Sequence, residues 1–259
     1  MNFKLLGVNM PDKIKIKMIV VGSIPFVLNR NRISNWSSEL FEISGNIDTH
    51  KLRTNSDGAK WRYLDQNIRD ILPVADGAVD FQVAIVSVPL EDNFYERRLE
   101  GNWIIVSTYE IRKYLAEANI PIENVILRVL YACALVFMFY GKQIPLTGAE
   151  DPKLTHDETK GCLFDMNGDK SEVVFSCDHP ILCQECQGTL GQKISRETIE
   201  KCQKEIRKIR KTPYYRITDY IKGHPIRSLA ATVVGSVLIG AMSSFFGRYL
   251  YSLVFGACC

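Results

Sequence analysis

The stretch ENVILRVLYACALVFMFY, Glu123 to Tyr140, decides how the middle of this chain folds. It is apolar on nearly every side of a helix, and Gly141 follows as a stop signal. A run this apolar is either a membrane span or a helix at the centre of a soluble core. After Arg128 it holds about 13 uncharged residues, fewer than the roughly 20 that a helix needs to cross a bilayer. The sequence therefore predicts a central core helix.

Strand patterns precede this helix. Lys13–Val21 alternates charged and apolar residues, with the period of two that is typical of a strand. Residues 79–90 and 102–107 are rich in β-branched side chains and indicate buried strands. A helix over residues 108–119 is expected next, before Pro121 breaks the chain. Together these patterns predict an α+β domain with a mixed sheet and helices.

Downstream of the helix, cysteines are concentrated. Of the eight cysteines, five fall between residues 162 and 202. The N-terminal residues show no signal-peptide pattern, so we expect a reducing compartment, where clustered cysteines more often bind metal than form disulfides. Cys183 and Cys186 form a Cys-x2-Cys pair, which supplies two zinc ligands from one tight turn.

The Cys-x2-Cys pair needs two further ligands to complete a zinc tetrahedron. His156 and Cys162 are the best candidates, and Cys177 and His179 are the alternatives. A structural zinc ion is the favoured interpretation. Reduced, buried thiols and a redox Cys-x2-Cys motif are the other possibilities, although the redox motif lacks the strand-then-helix setting that lowers a thiol pKa.

A resemblance to a known family is carried by THDETKGCLFD, from Thr155, and PILCQECQGTL, from Pro180. These stretches resemble the C-terminal part of the archaemetzincin family of zinc-dependent peptidases. In that family a zinc-binding His is followed, after five residues, by a Cys of a structural zinc site, and a Cys-x2-Cys pair closes the site. The matching positions are His156, Cys162, Cys183 and Cys186.

Two departures from that family change what the resemblance implies. A further family Cys is Asp157 here, which implies that His156 is recruited to the structural site. The His-Glu-x-x-His motif that activates water in zincin peptidases is absent, and counting back from His156 places Leu146 and Glu150 where its two His residues belong. The resemblance therefore implies a zincin-like fold over about residues 80–190 with no catalytic residues.

Positive charge is concentrated in residues 191–227, which hold eleven Lys and Arg residues against four acidic ones, in a chain of net charge +3. Ser195–Lys211 has the apolar spacing of an amphipathic helix, and an aromatic, basic connector follows. Two interpretations stay open: the cations fix membrane topology and contact anionic lipid, or the segment binds a nucleotide or oligonucleotide. The candidate ligand-binding residues are Arg207, Lys208, Arg210, Lys211, Tyr214, Tyr215 and Arg216.

Residues 228–247 carry no charge and form a helix long enough to cross a bilayer, about 30 Å at about 1.5 Å per residue. The basic segment comes directly before them. We expect a single pass through a bacterial inner membrane, and the positive-inside rule then places the large N-terminal domain in the cytoplasm. A buried C-terminal helix is the alternative.

One face of this predicted span is small or hydroxylated, and such faces let transmembrane helices pack closely. Thr232, Ser236, Gly240 and Ser244 recur on it every four residues. The stripe predicts self-association, and around a common axis it would line a pore. Arg248 is then either an interface anchor or part of an ion-selecting ring. A plain membrane anchor is the alternative.

The chain thus divides into a degenerate zincin-like domain (1–190), a basic helix with its connector (191–227) and a transmembrane helix with an apolar tail (228–259). This layout resembles membrane effectors of bacterial anti-phage defence, in particular the channel-forming effector of the Hailong system. The resemblance implies a homo-oligomeric ion channel, for instance a tetramer, gated by a single-stranded DNA oligonucleotide from a partner nucleotidyltransferase. A membrane-anchored zinc peptidase and a passive membrane scaffold are the competing functions.

Overall fold

The computed structural model describes residues 13–149 and 154–255, with side chains described up to residue 247. The chain forms two compact units that divide between Lys211 and Thr212. The first unit holds a sheet, the helix at 123–139 and the Cys/His stretch. The second unit holds two helices. The division falls inside the basic segment 191–227, so the candidate ligand-binding residues are shared between two units.

The first unit is built on a mixed sheet. Its strands are β1 (Ile14–Val21), β2 (Phe41–Ile43), β3 (Asp48–His50), β4 (Phe81–Val86), β5 (Glu96–Leu99) and β6 (Trp103–Ser107). The order across the sheet is β2-β1-β4-β6-β5, and β3 pairs with β1 beyond the end of β2. The pairs are parallel, except that β5 runs antiparallel to β6 at the edge.

Helices pack against this sheet in the first unit and make up the second. Those of the first unit are α1 (Arg30–Ser34), α2 (Asp65–Ile71), α3 (Ile111–Glu117), α4 (Glu123–Phe139), α5 (Val173–Ser176), α6 (Gln184–Leu190) and α7 (Arg196–Ile206). The second unit contains α8 (Pro213–Gly223) and α9 (Pro225–Phe255). The expected mixture of sheet and helices is confirmed.

The central helix α4 is the core of the first unit, as the sequence predicts. Every residue of α4 except Met138 is buried. Its rings meet the sheet: Tyr131 lies edge-on to Phe41 with centroids 4.9 Å apart, and Phe137 lies against Phe81 at 5.7 Å. Because α4 is covered by the rest of the first unit, burial of its apolar surface stabilises that unit.

The two central strands explain the apolar runs in the sequence. Every residue of β4 and β6 is buried, because α4 covers one face of the sheet and α2 covers the other. β1 keeps its alternation only in its first half, where Lys15 is exposed and Lys17 half-buried. Strands buried on both faces read as continuous apolar stretches rather than as alternating ones.

Two elements at one edge of the sheet differ from the prediction. α3 begins at Ile111 rather than at residue 108, because Glu110 has a φ of 64° and cannot continue a helix backwards. The edge strand β5, with the sequence ERRL, was not predicted. Arg97 of β5 is buried next to β6, and its charge is balanced by an ion pair of 2.6 Å with Asp65. A charged residue therefore occupies an interior position of the sheet.

The basic helix is shorter than the predicted Ser195–Lys211. α7 ends at Ile206, and the chain then turns towards the segment that contains Asp178. The backbone N–H of Lys211 donates to the Asp178 carboxylate at 3.0 Å. The backbone N–H of His179, the residue after Asp178, donates to the Ile209 carbonyl at 2.8 Å. With these hydrogen bonds, residues 207–211 leave the helix that was predicted to include them. The predicted connector beyond it is the helix α8.

A buried carboxylate fixes α7 to the rest of the first unit. Glu205 accepts hydrogen bonds from the hydroxyls of Ser38 and Tyr131 and from the backbone N–H of Glu39, each at 2.7 Å. The Trp36 indole N–H in turn donates to the Tyr131 oxygen at 2.9 Å. The network joins residues that are 74 and 167 positions apart in the chain. It makes α7 part of the folded unit rather than a separate basic arm.

The second unit is dominated by an exposed apolar helix. α9 covers 31 residues, and within Pro225–Gly247 a window of 18 residues has a mean hydropathy of 1.9 and no buried residue. By length and composition this helix can cross a membrane. It begins three residues before the predicted span and continues beyond Gly247 to Phe255. Among the described residues, it is the helix that meets this test.

Candidate metal centre

The structure brings together the four residues that the spacing singled out. One ligand atom from each of His156, Cys162, Cys183 and Cys186 lies within 4.8 Å of the others. The sulfurs of Cys162 and Cys186 are 3.8 Å apart, and His156 Nε2 is 3.4 Å from the Cys183 sulfur. Cys162 and Cys186 are buried, and the other two ligands are half-buried.

These separations fit a tetrahedral zinc site. Zinc binds thiolate sulfur at about 2.3 Å and imidazole nitrogen at about 2.0 Å, so a tetrahedron places two sulfurs roughly 3.8 Å apart and a sulfur and nitrogen roughly 3.5 Å apart. The observed 3.8 and 3.4 Å match both edges. Three thiols with one imidazole are also the ligand set of many structural zinc sites. The protein therefore carries a His/Cys3 cluster suited to zinc.

Short backbone bridges hold the first two ligands in place. Cys162 lies opposite Ile181 in an isolated parallel bridge, and His156 lies opposite Asp165 in a second one. Gly161 makes the turn before Cys162 with a φ of 84°, and a Cβ there would come within 3.1 Å of a backbone oxygen of Phe175. Glycine is required at this turn because a side chain would be both strained and crowded.

The other two ligands come from the first turn of α6. Cys183 is the N-cap of this helix, and its sulfur accepts the backbone N–H of Cys186 at 3.4 Å. The hydrogen bond turns the Cys183 sulfur towards the same side as the Cys186 side chain. A backbone N–H that points at a sulfur also stabilises negative charge on it. The Cys-x2-Cys spacing thus forms a compact knuckle at the start of a helix.

Close packing of the thiols changes their acidity. The hydrogen bond between the Cys162 and Cys186 sulfurs lowers the pKa of Cys162 to about 5 and raises that of Cys186 above the usual thiol value. Burial opposes the ionisation of both. Ionisation is therefore favoured at Cys162 over Cys186, and thiolate is the form that binds zinc.

A carboxylate lies behind the histidine ligand. His156 presents Nε2 to the cluster, and its buried Nδ1 has no hydrogen-bond partner among the described residues. A carboxylate oxygen of Glu158 lies 3.7 Å from this Nδ1. Metal-binding histidines commonly donate their second N–H to a carboxylate, which fixes the tautomer. Sequence reasoning missed Glu158, although a carboxylate two positions from a ligand was a visible signal.

A buried arginine connects the cluster loop to the core helix. Arg128 of α4 donates to the Tyr95 hydroxyl and to the carbonyls of Leu163 and Asp165 at 3.1 and 3.0 Å. It is 2% exposed. The guanidinium therefore ties the segment after Cys162 to α4, and these contacts explain why a cation lies in the middle of a mostly apolar helix.

The alternative ligands lie apart from the cluster. Cys177 is fully buried near Arg128, and burial raises the pKa of its thiol to about 12. His179 is half exposed, with a φ of 60°, and its ring lies 3.9 Å from Asp178. Among the described residues, His156, Cys162, Cys183 and Cys186 form the single group of three or more metal-ligating side chains.

The positions that counting assigned to a catalytic histidine pair do not lie on the core helix. Leu146 is in the loop after α4 and is 42% exposed, and Glu150 lies outside the described residues. A cavity of about 140 Å³ does lie beside α4. The side of α4 that lines it carries Ala132, Cys133 and Val136, and none of these is a histidine.

The candidate ligand-binding residues are distributed over both units. Arg207, Lys208 and Arg210 are exposed in the turn after α7. Lys208 borders a surface pocket together with Arg32 and Trp36. Lys211 ends the first unit, and the remaining candidates, Tyr214, Tyr215 and Arg216, are exposed on α8 in the second unit.

The small-residue stripe of the predicted span is present on α9. Thr232, Ser236, Gly240 and Ser244 are all exposed along the helix. The three hydroxyls each donate to the carbonyl four residues earlier, at 2.9, 2.8 and 3.1 Å. Because these hydrogen bonds are internal, the hydroxyls add little cost in lipid. The Arg248 side chain lies outside the described residues.

The chain shows a weak similarity to a known protein structure. No protein-family model and no curated protein matches the chain. Among solved structures, the chain is similar to an archaemetzincin from Methanopyrus kandleri, with a TM-score of 0.41 and 16% sequence identity. The alignment covers 77% of this chain and 99% of that chain. The His/Cys3 cluster is defined by this chain's own residues and by the distances between their ligand atoms.

Proposed function

We propose that the protein is a single-pass membrane effector, in which a zinc-stabilised cytoplasmic unit controls a span that self-associates into a channel. The proposed membrane location is supported by the exposed apolar helix α9. Its side chains project into solvent, with Ile239 68% and Phe245 77% exposed, over a window of mean hydropathy 1.9. A continuous apolar surface of this size marks a membrane or protein contact, and 23 residues suffice for a span.

The proposed role of zinc is structural. A catalytic zinc ion keeps one coordination position open for water, whereas three sulfurs and one imidazole complete a tetrahedron. The ion would be held by His156, Cys162, Cys183 and Cys186 and would clip α6 to the loop that Arg128 anchors. The absence of histidine from the cavity side of α4 also supports a unit that does not hydrolyse peptides.

Self-association is proposed to occur through the stripe of Thr232, Ser236, Gly240 and Ser244. Small side chains at every fourth position let two helix backbones approach closely. With several copies around an axis, the same stripe would line a water-filled path. Phe245 and Phe246 would then form an apolar constriction near one end.

The proposed control is a nucleotide or short single-stranded DNA bound by the basic residues on the cytoplasmic side. Lys208 and Arg32 supply cations beside the indole of Trp36, a combination that suits phosphates and stacked bases. Such a ligand can gate the channel only if it binds the closed and open states with different affinity. The layout of the Hailong effector motivates this choice of ligand.

Purified full-length protein in planar bilayers tests this function. We expect ionic conductance, and we expect the Gly240→Leu variant to lose it while the Val234→Leu variant, on the opposite side of α9, keeps it. Addition of a single-stranded DNA oligonucleotide should change the open probability. A protein that is monomeric in detergent and shows no conductance in any ligand condition would sink the channel proposal.

A metal and cleavage assay separates the channel from a membrane-anchored peptidase. A structural site predicts about one zinc per chain and no cleavage of peptide libraries. A second, exchangeable zinc together with peptide hydrolysis that chelators abolish would establish the peptidase instead.

A further inference from the structure

The helix α8, immediately before the apolar helix α9, presents an apolar stripe that nothing in its own unit covers. Tyr214, Ile217 and Ile221 are spaced i, i+3 and i+7, so they share one face. They are 72%, 61% and 49% exposed, and no residue of α8 is buried. An amphipathic helix of this kind is normally stabilised when its apolar face packs against another apolar surface.

The charged residues of α8 lie away from this stripe. Arg216, Asp219 and Lys222 occupy the other side of the helix, and all three are exposed. The helix has 11 residues and is therefore about 16 Å long, too short to cross a bilayer. Its size and its two faces match a helix that lies in the plane of a membrane surface.

The junction between the two helices fixes where α8 must lie. Only His224, with φ −135° and ψ 62°, separates α8 from Pro225 at the start of α9. This non-helical residue breaks the helix, so α8 is not a continuation of the span. The Tyr220 and His224 rings stack at 4.8 Å across the junction. With one residue between them, the C-terminal end of α8 adjoins the start of the apolar helix α9.

We infer that α8 is an in-plane surface helix, which inserts Tyr214, Ile217 and Ile221 into the boundary between headgroups and acyl chains of the leaflet where α9 starts. Arg216 and Lys222 then face the headgroup phosphates. The inference rests on the proposed membrane location of α9. Continuity with the span favours lipid over nucleic acid as the occupant, because Tyr214 shares its face with isoleucines and not with the cations.

Tryptophan substitution in the full chain tests this placement. Ile217→Trp reports on the apolar stripe, Asp219→Trp is the matched control on the polar side, and Val237→Trp reports on the middle of the span. The proteins are reconstituted in phosphatidylcholine and phosphatidylglycerol vesicles with bromine placed shallow or deep in the acyl chains. The signal of wild-type Trp36, Trp61 and Trp103 is subtracted.

We expect blue-shifted Ile217→Trp emission that shallow bromines quench at least about twofold more than deep ones. Asp219→Trp should show little quenching, and deep bromines should quench Val237→Trp most strongly. If Val237→Trp is quenched and Ile217→Trp is not, the surface helix is wrong while the span stands. If Val237→Trp is not quenched either, the proposed membrane location itself fails.

A nucleic-acid role for the stripe is the remaining outcome to distinguish. If Ile217→Trp emission is unchanged by vesicles and shifts only on addition of a single-stranded DNA oligonucleotide, α8 binds nucleic acid and the inference is wrong. If the oligonucleotide leaves the lipid quenching of Ile217→Trp unaltered, the apolar face is occupied by lipid as inferred.

Discussion

At the scale of single residues, Cys183 has two separable roles. Its sulfur is the N-cap of α6, and it lies 3.4 Å from the imidazole of His156 in the metal cluster. Serine is a good N-cap but a poor zinc ligand, because its hydroxyl does not ionise near neutral pH. The substitution Cys183→Ser therefore removes the ligand and leaves the cap.

We predict that Cys183→Ser purifies with almost no zinc, against about one zinc per chain for the unaltered protein. Elemental analysis of the purified protein measures this. The matched control is Cys202→Ala, because Cys202 is buried on α7 outside the cluster. It should keep its zinc and lose only about 1 kcal/mol of stability. Full zinc content in Cys183→Ser would show that Cys183 is not a ligand.

The buried Glu205 predicts a large effect on stability at a position outside the metal cluster. Glu205→Ala leaves the Ser38 and Tyr131 hydroxyls and the Glu39 N–H without their acceptor. We expect the free energy of unfolding to fall by about 3 kcal/mol, measured by urea denaturation. Glu200→Ala is the control, since Glu200 pairs with Arg196 at the surface and should cost under about 0.5 kcal/mol. Equal losses would mean that the network does not hold α7.

Spacing in the sequence predicted which four side chains lie together, and their ligand atoms are within 4.8 Å of one another. The interval between Cys183 and Cys186 specifies a knuckle whatever the rest of the chain does. The Glu205 network and the Arg128 contacts could not be found in this way, because they join residues brought together only by the whole fold. His156 was a candidate from its position near the cysteines and again from the family resemblance, but its 3.4 Å approach to the Cys183 sulfur depends on a bridge that the sequence does not reveal.

At the scale of elements, two helices of similarly apolar composition have opposite environments. α4 is buried along its whole length, whereas the Pro225–Gly247 window of α9 is entirely unburied. The length of the uncharged run distinguished them correctly. The strand β5 was missed because it has no apolar run. Its interior position is filled by Arg97, whose charge is balanced by an ion pair with Asp65. The helix α8 was taken for a connector because its stripe is only three residues long.

The stripe on α9 gives a prediction for the element as a whole. Gly240→Leu places a large side chain where two backbones are proposed to meet, so self-association should weaken by about tenfold. Energy transfer between labelled copies in vesicles measures this. Val234→Leu lies on the other side of α9 and should associate as the unaltered chain does. A similar loss in both variants would show that the stripe is not the contact.

At the scale of the whole molecule, the division between Lys211 and Thr212 predicts that the first unit folds alone. A chain ending at Lys211 should be soluble, bind about one zinc and unfold cooperatively, because it keeps the sheet, α4, the cluster and α7. Sedimentation and circular dichroism measure this. A chain ending at Ser195 lacks Glu205 and should be markedly less stable. Aggregation of the longer fragment would show that the second unit is needed for folding.

The internal hydroxyl bonds of α9 bear on how an assembly would behave in a cell. Thr232, Ser236 and Ser244 already donate within their own helix, so neighbouring copies would be held mainly by shape and not by exchanged hydrogen bonds. Contacts of that kind are individually weak and reversible. The fraction of assembled protein would then follow its surface density, and conductance would rise steeply once expression passes a threshold.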